Sequence, residues 1–163
     1  MHLLCILVLL FGIVSPFHHP VAVAAELSET RSLWGTAPPP SIPDSPPVQP
    51  KPWILRERDI AIDLPLLQIL KDAAARPLPR VVVELFNGAV YELDITSTVT
   101  RFNDTAVIRG IFIPPAQGEF TFIASGNLLV GTIQLGNQIY KIDHIANGRL
   151  KLLELDPEKM PPD

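Results

Sequence analysis

Histidine, serine and carboxylate side chains are the groups from which this chain could build chemistry, and their spacing permits little of it. His144 stands beside Asp143, a pairing that could tune a proton near neutral pH or lend one ligand to a metal. The other three histidines, His2, His18 and His19, all precede residue 20. A zinc site is therefore not expected, and His144 reads as an exposed residue at a strand end. Ser97 and Ser125 lack both the Gly-x-Ser-x-Gly elbow and a histidine partner that would turn a hydroxyl into a nucleophile. Gly126, Gly136 and Gly148 are spaced as turn residues, not as a loop that cradles phosphate. Asn103-Asp104-Thr105 has the form of a glycosylation sequon, which matters only in a eukaryotic secretory pathway. The carboxylates Glu154, Asp156, Glu158 and Asp163 could offer an oxygen to a partner's zinc, or simply solubilise a terminal segment. No catalytic residue, no metal-binding residue and no cofactor is expected.

Any side chain that acts must be held by a small core, since 163 residues fit one compact domain. The 13 Lys and Arg against 17 Asp and Glu leave a mildly acidic chain with scattered basic residues. Nucleic acid is not an expected partner. Leu3 to Val14 form an apolar run, followed by small residues up to Ala25. That pattern predicts a secretory signal peptide over 1–25, cut between Ala25 and Glu26, with an uncleaved anchor as the alternative. The product is expected to be secreted or periplasmic and free of the membrane after cleavage. Cys5 lies inside the apolar run, so the mature chain has no thiol, no thiolate ligand and no disulfide.

Residues 26–52 are expected to form a disordered proline-rich linker. Pro38-Pro39-Pro40, Pro43, Pro46-Pro47, Pro50 and Pro52 cannot support a paired backbone, though such a stretch could also dock in an aromatic-lined groove. The folded part is then 53–163. Ile60 and Ile62 alternate in a run from Trp53 to Asp63 that suits an edge strand. A short helix follows, capped by Asp63, with Leu66, Leu67, Leu70 and Ala74 at helical spacing until Pro77.

From Pro79 onward the period is two. Apolar runs at 81–86 and 90–95 flank Asn87-Gly88, a dipeptide suited to a tight hairpin. Further runs at 106–113, 119–125, 128–135, 138–145 and 149–155 end at Gly, Asn or Pro. The fold class is all-β, an antiparallel meander or sandwich of about seven short strands with one short N-terminal helix. Phe120, Phe122, Ile133, Leu135, Tyr140, Ile142, Leu150 and Leu152 should face inward, while Thr121, Thr132, Gln134, Lys141, Asp143 and Lys151 face water.

A set of short elements carries a family resemblance. Arg109-Gly110-Ile111, Glu119-Phe120-Thr121-Phe122, Gly126-Asn127, Gly131-Thr132-Ile133, Tyr140-Lys141-Ile142, Glu154-Leu155-Asp156 and Pro161-Pro162 follow one another from Arg58-Asp59-Ile60-Ala61-Ile62-Asp63 to the C-terminus. In that order they resemble the N-terminal prodomain-like region of bacterial secreted reprolysin-like (metzincin) zinc metalloproteases. The chain departs from that family in lacking HExxHxxGxxH, so the protease activity is not implied.

The resemblance implies a non-catalytic exported domain that binds a secreted zinc metalloprotease, as inhibitor or folding assistant. Its contact segment is expected to be a C-terminal tail made of Leu153, Glu154, Leu155, Asp156, Pro161, Pro162 and Asp163. The alternatives are an envelope- or glycan-binding β module, or a truncated relic of a protease gene.

Overall fold

The computed structural model describes residues 29–38, 51–145 and 148–161. The expected signal peptide with Ala25 and Glu26, most of the proline-rich stretch, and Pro162 and Asp163 lie outside the described residues. Ten strands and one α-helix make up the described chain: β1 (Thr30–Ser32), β2 (Trp34–Thr36), β3 (Ile54–Ile62), α1 (Leu64–Lys71), β4 (Arg80–Glu84), β5 (Val90–Arg101), β6 (Thr105–Phe112), β7 (Gly118–Ser125), β8 (Leu128–Leu135), β9 (Gln138–His144) and β10 (Leu150–Leu155). The all-β class with one helix is as expected, and the number of strands is larger.

All ten strands belong to one sheet, in the order β1-β4-β5-β6-β7-β8-β9-β10-β3-β2. From β4 to β10 it is the antiparallel meander that the alternation predicts. Its two outermost strands are consecutive pieces of one extended segment. β1 pairs parallel with β4, and β2 pairs antiparallel with β3. Between them Leu33 donates its N–H to Val82 (2.8 Å) and accepts the N–H of Asp63 (3.0 Å), so one residue bonds both walls. The sheet therefore nearly closes into a barrel, with Thr30–Thr36 as its seam. Near-closure leaves only the short strands β1 and β2 at the ends of the sheet, in place of the long free edges an open sheet would expose.

This corrects the expectation of a linker throughout 26–52. Leu33 and Trp34 are 0% and 1% exposed. The seam is too short to show a period, and the prolines beside it mask it. β3 is likewise no edge strand, since β10 and β2 flank it.

Asp63 caps α1, accepting the N–H of Leu66 at 3.0 Å. Leu66, Leu67 and Leu70 are buried against the barrel. The helix ends at Lys71, short of Ala74 and Pro77, because Asp72 is extended. The hydroxyls of Thr98 and Thr100 take up the carbonyls of Leu70 and Lys71. At the β4–β5 turn Asn87 and Gly88 both have positive φ, 62° and 72°, as their sequence predicts.

The interior is filled by side chains. Tyr91, Phe112, Phe120, Phe122 and Trp34 form a continuous chain of ring contacts, at centroid separations of 5.7, 6.2, 4.8 and 6.1 Å. Burial of each large ring or aliphatic group contributes about 1.5–3 kcal/mol, which offsets ordering entropy in a core without disulfides. Two glycines make room for these rings. A Cβ on Gly110 would lie 2.5 Å from the Phe120 ring, and one on Gly131 would lie 2.9 Å from the Phe122 ring. Gly110 and Gly131 thus have packing reasons to be glycine.

Candidate interaction surface

Of the residues expected to form a C-terminal contact tail, Leu153, Glu154 and Leu155 are built into the barrel, while Pro162 and Asp163 lie outside the described residues. Leu153, Glu154 and Leu155 pair with Lys141, Tyr140 and Ile139 of β9 on one side. On the other they pair with Glu57, Arg56 and Ile54 of β3. Their backbone groups are engaged in the sheet, and all three side chains are nearly buried. Glu154 forms an ion pair with Arg56 in the barrel mouth. The Arg56 guanidinium also donates to Asn87 Oδ1 (2.7 Å) and lies over the Phe86 ring, which stacks on Tyr140. Burial, aided by the nearby Glu154 carboxylate, pushes the Tyr140 hydroxyl above its ordinary value.

Asp156 accepts the N–H of Glu158 (3.1 Å) and pairs with Lys159 (2.6 Å), capping a single 3-10 turn, Pro157–Lys159. The Lys159 ammonium holds its carboxyl below the ordinary value. Pro161 is exposed beyond it. The described part of the expected tail is thus a structural strand followed by a short capped turn.

His144 is exposed at the end of β9, with its N–H on Asp143 Oδ1 (3.1 Å). Ser125 is exposed and bonds Thr105 Oγ1, and Ser97 is partly buried in β5. Among the described residues no three His, Cys, Asp or Glu side chains converge as a metal site requires. No helix among them is long and apolar enough to cross a membrane.

The surface that stands out lies on the outer wall of β5 to β8. Val99 faces Val107, Val107 faces Ile123, and Ile123 faces Val130 in direct register. Their sequence neighbours Ile108, Phe122, Ala124 and Leu129 point inward and are fully buried, so the row points outward. The next row along the strands is polar, running Ser97, Arg109, Thr121, Thr132 and Lys141. Beyond it Ile111 stands between Asp94 and Glu119.

Phe102 tops this wall in the β5–β6 turn and is 95% exposed. The turn is braced from beneath. Asn103 and Asp104 adopt left-handed φ of 65° and 55°. Asp104 pairs with Lys71, an ammonium group that also donates to the Gly126 carbonyl (3.1 Å) and is itself almost buried. An aromatic ring fully in water on a turn tied to a buried lysine is unlike a scattered surface apolar residue. Alternation gives the inward face of each strand; it does not show that outward apolar residues on four strands share one register.

No protein-family model matches this chain, and no curated protein or solved structure matches it either.

Proposed function

We propose that this chain is a non-catalytic protein-binding domain that engages a secreted zinc metalloprotease, acting as inhibitor or folding assistant. The partner class rests on the resemblance to metzincin prodomains. What supports binding through the outside of the barrel is the apolar row Val99, Val107, Ile123 and Val130 on the wall whose β5–β6 turn displays the fully exposed Phe102, with the row Arg101, Thr105, Ser125 and Leu128 between them. Contiguous exposed apolar surface marks interaction sites, and phenylalanine is among the aromatic residues enriched in the cores of protein interfaces. The core is filled by rings, so contacts are made by the wall and not by a cavity. The contact role passes from the C-terminal segment to the β5–β8 wall, because β10 has no free backbone to lend.

Titration of the protein against the metalloproteases of its own source organism tests this reading. Inhibition or rescue of protease folding, lost on Phe102→Asp and Ile123→Asp with the fold intact, supports it. Capture of an envelope glycan in place of a protease, or no effect on any of them, overturns it.

A further inference from the structure

Two arginines stand beside the outward apolar row of β5 to β8 with their charge unspent. Arg31, Arg56, Arg58, Arg80 and Arg149 each hold a carboxylate. Arg101 and Arg109 are exposed, and neither has an ion pair among the described residues. Arg101 lies two residues past Val99 on β5, opposite Thr105, and Arg109 two residues past Val107 on β6, opposite Ser97. Because β5 and β6 are antiparallel, the two cations fall on opposite sides of the row. We propose, on the reading that this wall makes the contacts, that the row Val99, Val107, Ile123 and Val130 seats an acidic amphipathic helix of a partner protein. The apolar stripe of that helix lies on the row, and carboxylates on its two flanks meet Arg101 and Arg109.

The spacing of the row selects a helix. Its members stand one strand apart, about 4.8 Å, so the row is about 14 Å long. Same-face residues on one strand are about 6.8 Å apart, which sets each arginine that far to its side of the row. A helix repeats its stripe every ~5.4 Å and is ~10–12 Å wide, so along the row it stays nearly in step and its flanks come down over the arginines. An extended segment repeats at about 6.8 Å and falls out of step. The acids nearby do not compete for the two cations. Asp104 is held by Lys71 and Asp143 by Lys141. Asp94 and Glu119 flank Ile111, one row beyond Arg109, and form no ion pair with it. Two unpaired arginines also fall short of the clusters of about 4–8 basic residues that mark a lipid surface.

Fluorescent helical peptides that share one leucine stripe and differ only in its flanks, glutamate, glutamine or lysine, are titrated with the full chain. The glutamate peptide should bind at least about tenfold more tightly than the glutamine one, with an affinity that falls as salt rises, and the lysine peptide should not bind. Arg101→Glu with Arg109→Glu should invert the order, so that the lysine peptide binds and the glutamate peptide does not. Melting temperature should hold, since both side chains are exposed and unpaired. Should the reversed variant not fold, Arg101→Gln with Arg109→Gln should abolish the preference for glutamate. Equal affinity for the three peptides, no binding of any, or a preference indifferent to the arginines overturns the acidic helix. So does capture of phosphatidylserine vesicles in place of the peptide, or dimerisation of the unaltered chain that the same reversal abolishes. Protease inhibition lost on Phe102→Asp but kept in the reversed variant removes the acidic helix alone. Peptide binding that inverts with charge, in a chain that affects no protease, removes the protease alone.

Discussion

Arg31 Nη2 lies 2.7 Å from both carboxylate oxygens of Asp63, and the same carboxylate caps α1 through the Leu66 N–H. Asp63 thereby ties the seam, the end of β3 and the start of the helix together. Partial burial opposes its charge, but the Leu66 amide and Arg31 outweigh this and hold its carboxyl below the ordinary 3.8. A lowered folded value means stability that is present above the unfolded value and lost as pH falls through the folded one. Melting temperature should thus drop below about pH 4. Asp63→Asn keeps a capping acceptor but loses the charge, so it should cost about 1 kcal/mol at neutral pH. The deficit should shrink as pH falls below the ordinary 3.8 and through the lowered folded value, as thermal unfolding across the pH range will show. A deficit that is the same at every pH would remove the ion pair from the account.

Trp34 is the larger anchor of the seam, edge-on to Phe122 at 6.1 Å and bonded to the Glu84 carbonyl. Trp34→Ala should cost ~3–5 kcal/mol, since it removes a buried ring and the indole hydrogen bond to the Glu84 carbonyl, which then keeps only the Arg58 guanidinium. Denaturant unfolding reads this directly. A loss under 1 kcal/mol would mean the barrel stays closed without the seam.

How far the sequence carried the fold depends on where a period could be read. Phe120, Phe122, Ile133, Tyr140, Ile142, Leu150 and Leu152 are buried as alternation predicts, because each belongs to a strand long enough to repeat. Thr30–Thr36 carries only Leu33 and Trp34, two adjacent apolar residues with no repeat, and its pairing is with strands far along the chain. Leu153 to Leu155 break the alternation and are buried on both faces. They looked like a tail because Glu154 and Asp156 are charged, whereas Glu154 is neutralised by Arg56, 98 residues away. The outer wall was present as Val99, Val107, Ile123 and Val130, but register between strands, and hence the patch, is a tertiary fact.

Glycine positions separate sharply. A Cβ at Gly110 would come within 2.1 Å of the Asp94 carbonyl and 2.5 Å of the Phe120 ring. Gly110→Ala should therefore cost ~1–3 kcal/mol or prevent folding, whereas Gly35→Ala, with open space around it, should stay within about 0.5 kcal/mol of the parent. Circular dichroism melts of the two variants provide the comparison, and equal stability would show that the β5–β6–β7 bend relaxes freely.

A chain ending at Leu152 removes half of β10. Leu153 to Leu155 lose their partners on both β9 and β3, and Arg56 loses Glu154. Such a chain should unfold or aggregate, since two long neighbouring edges open at once. Ending at Lys159 should leave the barrel intact, as only residues beyond the capped turn are lost. Two-dimensional NMR of each variant distinguishes these outcomes; dispersed spectra from the shorter chain would contradict the place given to β10.

Phe102 and Lys71 allow display and contact to be separated. Phe102 is in water, so Phe102→Asp should change stability by less than about 0.5 kcal/mol. If the ring anchors a partner, the same change should weaken binding at least about tenfold, the loss associated with a central aromatic contact. Lys71 touches no outside surface but joins the end of α1 to Asp104 and the Gly126 carbonyl. Lys71→Met retains most of the buried stem and removes both contacts, leaving the Asp104 carboxylate without its cation. The β5–β6 turn should then lose hydrogen-exchange protection at Asn103 to Thr105 while the barrel strands keep theirs. Binding should weaken less than in Phe102→Asp, because the ring is still available but no longer held. Calorimetric titration with exchange mass spectrometry tests the pair. Full binding in Phe102→Asp, or a looser turn with unchanged affinity in Lys71→Met, would move the contact surface away from the top of this wall.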